Sequence, residues 1–509
     1  MTLLRFLFGA PSADWIRFGV FFAGIVLFIS IAEKMRSYLN WSPEVTRKLV
    51  HILTGILIFF TPYFFILNKT LIWMALIFIV VNFLGVRTGK LQGMHSTERR
   101  SYGTVFYPIT FLFLVMTCWE AHKTVMMLSI LILAVSDAAA AIVGENLRQP
   151  HEYRLGKDKK SFEGSCIMFL TSLLIVLVLL PLIDHLDGRA VPLATAGWIG
   201  LCTAVVATAM EAVSRNGSDN LSAPLGAAFT LHFMFTHSTR ANVSFTFGIG
   251  LALIVAYLSY RARFLTASGS MGIFILAALI FGVGGWVWSV PILTFFVLSS
   301  ILSKIGKVRK EHLESLFEKS SRRDMGQVSA NGAIAGCAML LYNFFPGPLW
   351  YPLYLGALAA VNADTWATEI GVFSKWMPRS VKDFRKVPHG TSGGITLLGT
   401  VGALAGASVI AFSGRVVSMF HSDMNILPLY FWIIVAGGFF AHLVDSLLGA
   451  TLQAQYRCSV CGKTTEKRTH CQENTALLSS GFKWLNNDAV NAACALSGLF
   501  IVWIGVELL

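Results

Sequence analysis

The chain has 509 residues, 55% hydrophobic and 13% charged, with a net charge of +13 and a mean hydropathy of +0.65. No soluble fold of this length hides that much apolar surface, so the composition excludes a soluble protein and predicts a polytopic one in a lipid bilayer. The positive charge does not indicate a nucleic-acid polymer, because it alternates from loop to loop instead of gathering on one face.

About 15 or 16 apolar spans are expected on a ~20-residue window. They centre near residues 24, 57, 78, 112, 134, 174, 203, 228, 250, 278, 295, 337, 360, 404, 440 and 498. The fold class is therefore all-α. The first span lies between Arg17 and Lys34/Arg36 without a small-residue cleavage motif, and is expected to stay as an anchor. The spans near 278 and 295 are separated only by Gly282-Val-Gly-Gly285. Alternate loops, roughly 33–48, 87–103, 145–164, 213–219, 259–266, 304–326, 375–389 and 455–486, hold 33 of the 40 Lys and Arg. The positive-inside bias places these loops in the cytosol of a cell (inner) membrane and both termini outside. Topology alone would give this pattern; phosphate binding is a second use for the same charges.

Polar landmarks recur along the chain. Arg99-Arg100-Ser-Tyr-Gly103-Thr-Val105 has a near-twin in Arg322-Arg323-Asp-Met-Gly326-Gln-Val328. Each is followed by an acid in a D-x-x-A-x-x-x-G string, Asp137 to Gly144 and Asp364 to Gly371, and then by a third acid at the end of an apolar helix, Glu211 and Asp445. The shared order predicts a tandem, parallel repeat with one polar site per half.

Acids are rare in membrane helices without a reason. In the first half Asp137 and Glu211 can hold a hard cation such as Mg2+, with Asp219 and Asn220 nearby. The string Lys159-Lys160-Ser-Phe-Glu163-Gly-Ser165 opens a helix and can take phosphate on its ammonium groups and free N–H groups. In the second half Asp364 and Glu369 lie five residues apart, so they project from different faces. Gly390-Thr391-Ser392-Gly393-Gly394 is a plausible phosphate turn; such turns also serve membrane packing alone. Arg323, Gln327 and Asn331, and Asn487, Asp488 and Asn491, complete the polar set, although residues at a helix start also serve as caps. Cys458-x-x-Cys461 with His470-Cys471 offers four soft ligands for a structural Zn2+; reduced thiols without metal are the alternative. No Walker A, protein-kinase or G-x-S-x-G motif is present.

These residues carry a resemblance. Over about residues 40–235, Arg47-Lys48-x-x-His51, Arg100-x-Tyr-Gly-Thr104, Ser136-Asp137-x-x-Ala140-x-x-x-Gly144, Lys160-Ser-x-Glu-Gly-Ser165 and Glu211 with Asp219-Asn220 resemble the phytol and dolichol kinase group of CTP-dependent lipid kinases. Over about 270–509, Arg323-Asp-x-x-Gln327, Asn331-Gly332, Ala-Asp364-Thr-Trp-Ala-Thr-Glu369, Gly390-Thr-Ser-Gly-Gly394, Asp445 and Asn487-Asp-x-Val-Asn491 resemble the phytyl-phosphate kinase family, which includes transmembrane-protein-19-like proteins. The resemblance implies a kinase domain at 1–235, a connecting span at 236–270, and a second kinase domain at 271–509 with a cytosolic hairpin at 455–475. It implies phosphorylation of an isoprenoid alcohol to its monophosphate and then its diphosphate, with CTP or another nucleoside triphosphate and Mg2+. Catalytic roles would fall to Asp137, Glu163, Glu211, Asp364, Glu369 and Asp445. Phosphate or nucleotide contacts would fall to Arg100, Lys159, Lys160, Asp219, Asn220, Arg323, Gln327, Asn331, Gly390, Thr391, Ser392, Asn487, Asp488 and Asn491. The second half has Gly-Thr-Ser-Gly-Gly where the first has the segment with Glu163. A lipid-phosphate transporter or flippase, and a cytidylyltransferase making a CDP-lipid, are the rival functions.

Overall fold

The computed structural model describes residues 10–41, 43–88, 102–155, 158–188, 190–310, 322–421, 424, 426–462, 464–469, 471 and 477–508, excepting the side chains of 43–44 and 306–310. The chain forms two compact units, Met1–Asn242 and Val243–Leu509. The first holds α1 (Ser12–Leu39), α2 (Pro43–Phe59), the short α3 (Thr61–Phe64), α4 (Lys69–Thr88), α5 (Gly103–Cys118), α6 (Lys123–Leu131), a π-helical turn (Ile132–Ser136), α7 (Asp137–Asn146), α8 (Phe162–Leu186), α9 (Leu193–Ala212) and α10 (Asp219–Thr236). The boundary falls in α11 (Thr239–Arg261). The second holds α12 (Ala267–Leu279), a π-helical turn (Ile280–Gly284), α13 (Gly285–Lys310), α14 (Met325–Phe344), α15 (Trp350–Gly371), α16 (Leu397–Ser418), α17 (Pro428–Thr451) and α18 (Asn487–Glu507).

The protein is an all-α, multi-pass membrane protein. Among the described residues eleven helical segments are long and apolar enough to cross a bilayer, and α5 is a shorter apolar one. All sixteen expected centres fall inside helical segments. One of the eleven segments, Ala267–Ile305, folds back on itself. Gly285 has φ +65° and ψ −165°, a conformation that glycine tolerates and other residues resist. Lys304 near the end of α13 lies over the Phe264 ring just before α12, 4.3 Å from its centroid. The two helices therefore run antiparallel, and the centres at 278 and 295 are separate passes.

In each unit the acid-bearing helix is deeply enclosed. Every residue from Tyr351 to Ala363 of α15 is buried. Small residues permit this, since membrane helices associate by close backbone approach. A Cβ on Gly438 of α17 would meet the carbonyl carbon of Ala359 at 2.9 Å, and one on Gly406 of α16 would meet the Asn362 carbonyl oxygen at 2.9 Å. In the first unit α6 and the turn after it are buried almost throughout.

Not every intramembrane acid marks chemistry. Asp14 of α1 is fully buried, pairs with Arg17 at 3.0 Å and accepts the N–H groups of Ile66 and Leu67 at 3.1 and 2.9 Å. Its oxygens tie a loop to a helix and are used up in doing so.

Candidate active sites

In the first unit the π-helical turn ends at Ser136 and delivers Asp137 to the start of α7. Such turns commonly occur at functional positions. A two-stranded antiparallel hairpin, β1 (Glu152–Tyr153) with β2 (Lys160–Ser161), then pairs Tyr153 with Lys160. Ser161 caps α8 by accepting the Gly164 N–H at 3.1 Å. Gly144 and Gly164 let α7 meet the cap: a Cβ on Gly144 would sit 2.7 Å from the Ser161 hydroxyl oxygen. The locked hairpin aims Lys160 inward.

Lys160 bonds Glu211 at the end of α9 and reaches Asp219 at the start of α10 at 3.3 Å; Asp137 shares their field. Burial opposes the charged amine, but the three carboxylates outweigh it and hold the Lys160 ammonium above the ordinary lysine range. One ammonium thus sits among three acids. Lys48 of α2 pairs with Glu145 at 2.8 Å beyond them. The Asn220 Oδ1 is buried without a partner.

Two expected residues lie apart from this cluster. Lys159 pairs with Glu152 at 2.8 Å on the surface; this pair draws the Glu152 carboxyl below its ordinary range. Glu163 accepts the His151 N–H at 3.1 Å and meets its Nδ1 at 2.5 Å, which fastens the hairpin to α8. Arg100 lies outside the described residues.

The second unit repeats the local build with different side chains. Asp364 lies near the end of α15, seven residues before Gly371, as Asp137 lies before Gly144. A hairpin follows, β3 (Arg379–Ser380) with β4 (Gly394–Ile395). Thr396 caps α16 by accepting the Gly399 N–H at 3.0 Å, and a Cβ on Gly371 would lie 3.2 Å from its hydroxyl oxygen. Matching cap to cap, Ile395 occupies the place of Lys160.

The Asp445 carboxyl of α17 lies against that of Asp364, and its Oδ2 is buried without a partner. His442, a turn earlier, places Nδ1 3.1 Å from Asp364. The Ser392 hydroxyl donates to Glu466 at 2.6 Å, and the charge of Glu466 acts on Asp445. Gly393 explains the glycines of this turn: at φ +73° it packs on α17, where a Cβ would meet Ala450 at 2.5 Å. Thr391 donates locally to the Pro388 carbonyl at 2.8 Å, and Gly390 turns with φ +83°.

The remaining expected residues form other groups. Glu369 accepts from Ser303 of α13 at 2.6 Å and lies in the field of half-buried Arg323, whose guanidinium lies 5.5 Å from the Phe295 ring centroid. Gln327 completes a capping box with Asp324. Together with Arg323 and Asn331 it lines a small apolar cleft between α12, α13 and α14. Asn486 caps α18 by accepting the Ala489 N–H at 3.1 Å. Asn487 and Asn491 lie in its first turns, and Asp488 packs against Gly326 beside Asp324. The sulfurs of Cys458, Cys461 and Cys471 lie within 4.8 Å of one another; hydrogen bonding from Cys461, then burial and Cys458, pushes the Cys471 thiol up to about 11. His470 is outside the described residues.

Sequence reasoning missed His442 and Glu466, each of which meets its partner from more than 70 positions away. It quoted Lys48 without giving it a role. The donor sets suit a hard divalent ion: paired carboxylates with an unsatisfied oxygen are an oxygen-ligand set, and two acids held together without a cation repel.

The fold and its paired acid clusters define a class: polytopic membrane proteins with oxygen-rich sites at helix ends. Residues 250–499 match the integral membrane protein family DUF92. A phytol kinase of Synechocystis sp. is 32% identical over 221 residues, 42% of this chain and 89% of that protein. Protein PGR of Arabidopsis thaliana is 29% identical over 287 residues, 52% of this chain and 97% of that protein. Protein VTE6, chloroplastic, of Arabidopsis thaliana is 25% identical over 260 residues, 50% of this chain and 67% of that protein. No solved structure matches. The chain belongs to this phytol-kinase-like membrane family.

Proposed function

We propose that the chain is a membrane kinase that acts twice on an isoprenoid lipid: the first unit phosphorylates an alcohol such as phytol, and the second phosphorylates the resulting monophosphate. The reading rests on one observation. Two clusters of the same local build differ in charge, with Lys160 among the acids of the first and Ile395 in its place in the second. Similarity to a phytol kinase supports the lipid class, and the DUF92 match lies wholly inside the second unit. The matched Asp–Gly, hairpin and Ser/Thr-cap order in both units supports a tandem repeat.

Phosphoryl transfer asks mainly for positioning and charge neutralisation. In the first site Lys160 is held ready to exchange carboxylate oxygens for phosphate oxygens of CTP or another nucleoside triphosphate. Asp137 and Glu211 orient the alcohol hydroxyl and accept its proton. In the second site the acceptor is already an anion and needs no strong base. Asp364 and Asp445 would hold Mg2+, which would supply the neutralisation that Lys160 helps to supply in the first. Ser392 presents a hydroxyl to the donor phosphates. Both sites would open to the cytosol, where the basic loops lie under the positive-inside bias.

The test is nucleotide turnover by the purified full chain in detergent. Given phytol, or separately phytyl monophosphate, with CTP and Mg2+, the protein should release CDP with each. Release of pyrophosphate would identify a cytidylyltransferase. No turnover with either lipid would leave transport as the function.

A further inference from the structure

We propose that the hairpin between α17 and α18 is a soft-metal clamp: Cys458, Cys461 and Cys471 hold one divalent ion such as Zn2+, and the folded clamp holds Glu466 at the second acid cluster. The three sulfurs converge within 4.8 Å, which fills three positions of a tetrahedral thiolate shell. They come from both sides of Glu466 in the chain, so closing the shell fixes the segment that carries it.

The hairpin needs such a staple. Its sheet has the order β6 (Thr464–Thr465), β5 (Gln455–Arg457), β7 (Leu477–Ser480), and every residue of β7 is exposed. Tyr456, Cys458 and Thr465 are its buried side chains among the described residues of 455–480. A core that small does not hold strands against water. Nevertheless it brings a carboxylate to the second acid cluster: Glu466 accepts from Ser392 at 2.6 Å and acts on Asp445. Like charges at that range repel, so something outside the cluster must hold the loop in place.

The first unit shows what the clamp adds. There Glu211 and Asp219 are joined directly by residues 212–218. In the second, the corresponding link from Asp445 to Asp488 contains the whole hairpin. The insertion supplies a third acid to the site, under control of a metal that takes no part in transfer. The consequence for activity rests on the kinase reading above; the metal and the position of Glu466 do not.

The test uses the full chain in detergent. Protein purified without chelator should contain about one zinc per chain by elemental analysis, falling to background in Cys458→Ser/Cys461→Ser. Stripping the wild type with phenanthroline should expose Lys467 and Arg468 to trypsin, and Zn2+ should restore protection. Glu466→Gln should keep both metal and protection while losing at least tenfold in turnover of the monophosphate, with turnover of the alcohol unchanged. Absence of metal from the wild type, or trypsin sensitivity indifferent to its removal, would overturn the clamp. Full monophosphate turnover by Glu466→Gln would overturn its positioning role, and absence of turnover with either lipid in the wild type would overturn the kinase reading while leaving the metal and trypsin results intact.

Discussion

The two units place an aspartate, a glycine contact, a hairpin and a hydroxyl cap in the same order, yet they balance charge differently. The first carries its own cation, Lys160, bonded to Glu211 and Asp219. The second has Ile395 at that place and brings in another acid, Glu466. The difference teaches that a shared backbone frame does not dictate a shared electrostatic solution. A site with an internal ammonium can hold its acids together unaided; a site without one would need a bound cation or a proton to do the same.

The sharpest break of the comparison removes one aspartate at a time. Asp137→Asn should lower phosphorylation of the alcohol by about 10²–10³-fold, the usual loss for a group that stabilises charge in transfer, and leave the monophosphate reaction within about twofold. Asp364→Asn should do the reverse and make the monophosphate accumulate. Product analysis by thin-layer chromatography separates the two. Equal loss of both steps in either variant, at normal expression, would show one composite site instead of two.

Exchanging the cation comes next. Lys160→Met leaves Glu211 and Asp219 facing each other, and breaking a buried pair costs about 3–5 kcal/mol. The first step should be lost and the variant should melt earlier in detergent. Ile395→Lys puts an ammonium toward Asp364 and Asp445, so the Mg2+ concentration for half-maximal second-step rate should rise about tenfold, a difference of about 1.4 kcal/mol. An unchanged Mg2+ requirement would mean that the metal lies elsewhere. The pairing also sets a pH rule. The folded value of Lys160 is raised, so its contribution is complete below the unfolded value of about 10.4 and is lost only as pH rises through the higher folded one. The Lys160 ammonium should therefore keep the wild type melting above Lys160→Met throughout about pH 6 to about pH 9; a wild-type advantage lost as pH rises toward about 9 would contradict the assignment.

Much of this was legible in the sequence. Apolar length placed all sixteen expected centres in helical segments, because a bilayer sets one scale for the helices that cross it. The acids Asp137, Glu211, Asp364 and Asp445 stood out because intramembrane charge is costly. Their partners were not legible, because Ser392 meets Glu466 across 74 positions and His442 meets Asp364 across 78, and nothing local records such a contact. Asp14 shows the opposite limit: it is as buried as any of the acids, but its role is to bind two backbone N–H groups.

The smallest expected effects concern Lys159 and Glu163, which adjoin the first site in the chain but not in space. Successive side chains near a strand point to opposite faces. Lys160 therefore turns inward to Glu211 while Lys159 turns out to Glu152, where both side chains are exposed. Glu163 spends its carboxylate on His151. Surface ion pairs contribute about 0–1 kcal/mol, so Lys159→Ala and Glu163→Gln should each keep first-step turnover within about fivefold, against near-complete loss in Lys160→Met. Because Glu163 fastens the hairpin that aims Lys160, its effect should fall on stability of that hairpin, read by hydrogen exchange at residues 151–161, before it falls on rate. A loss in Glu163→Gln as large as that in Asp137→Asn would make Glu163 part of the chemistry and restore to the first site an acid that its geometry leaves outside.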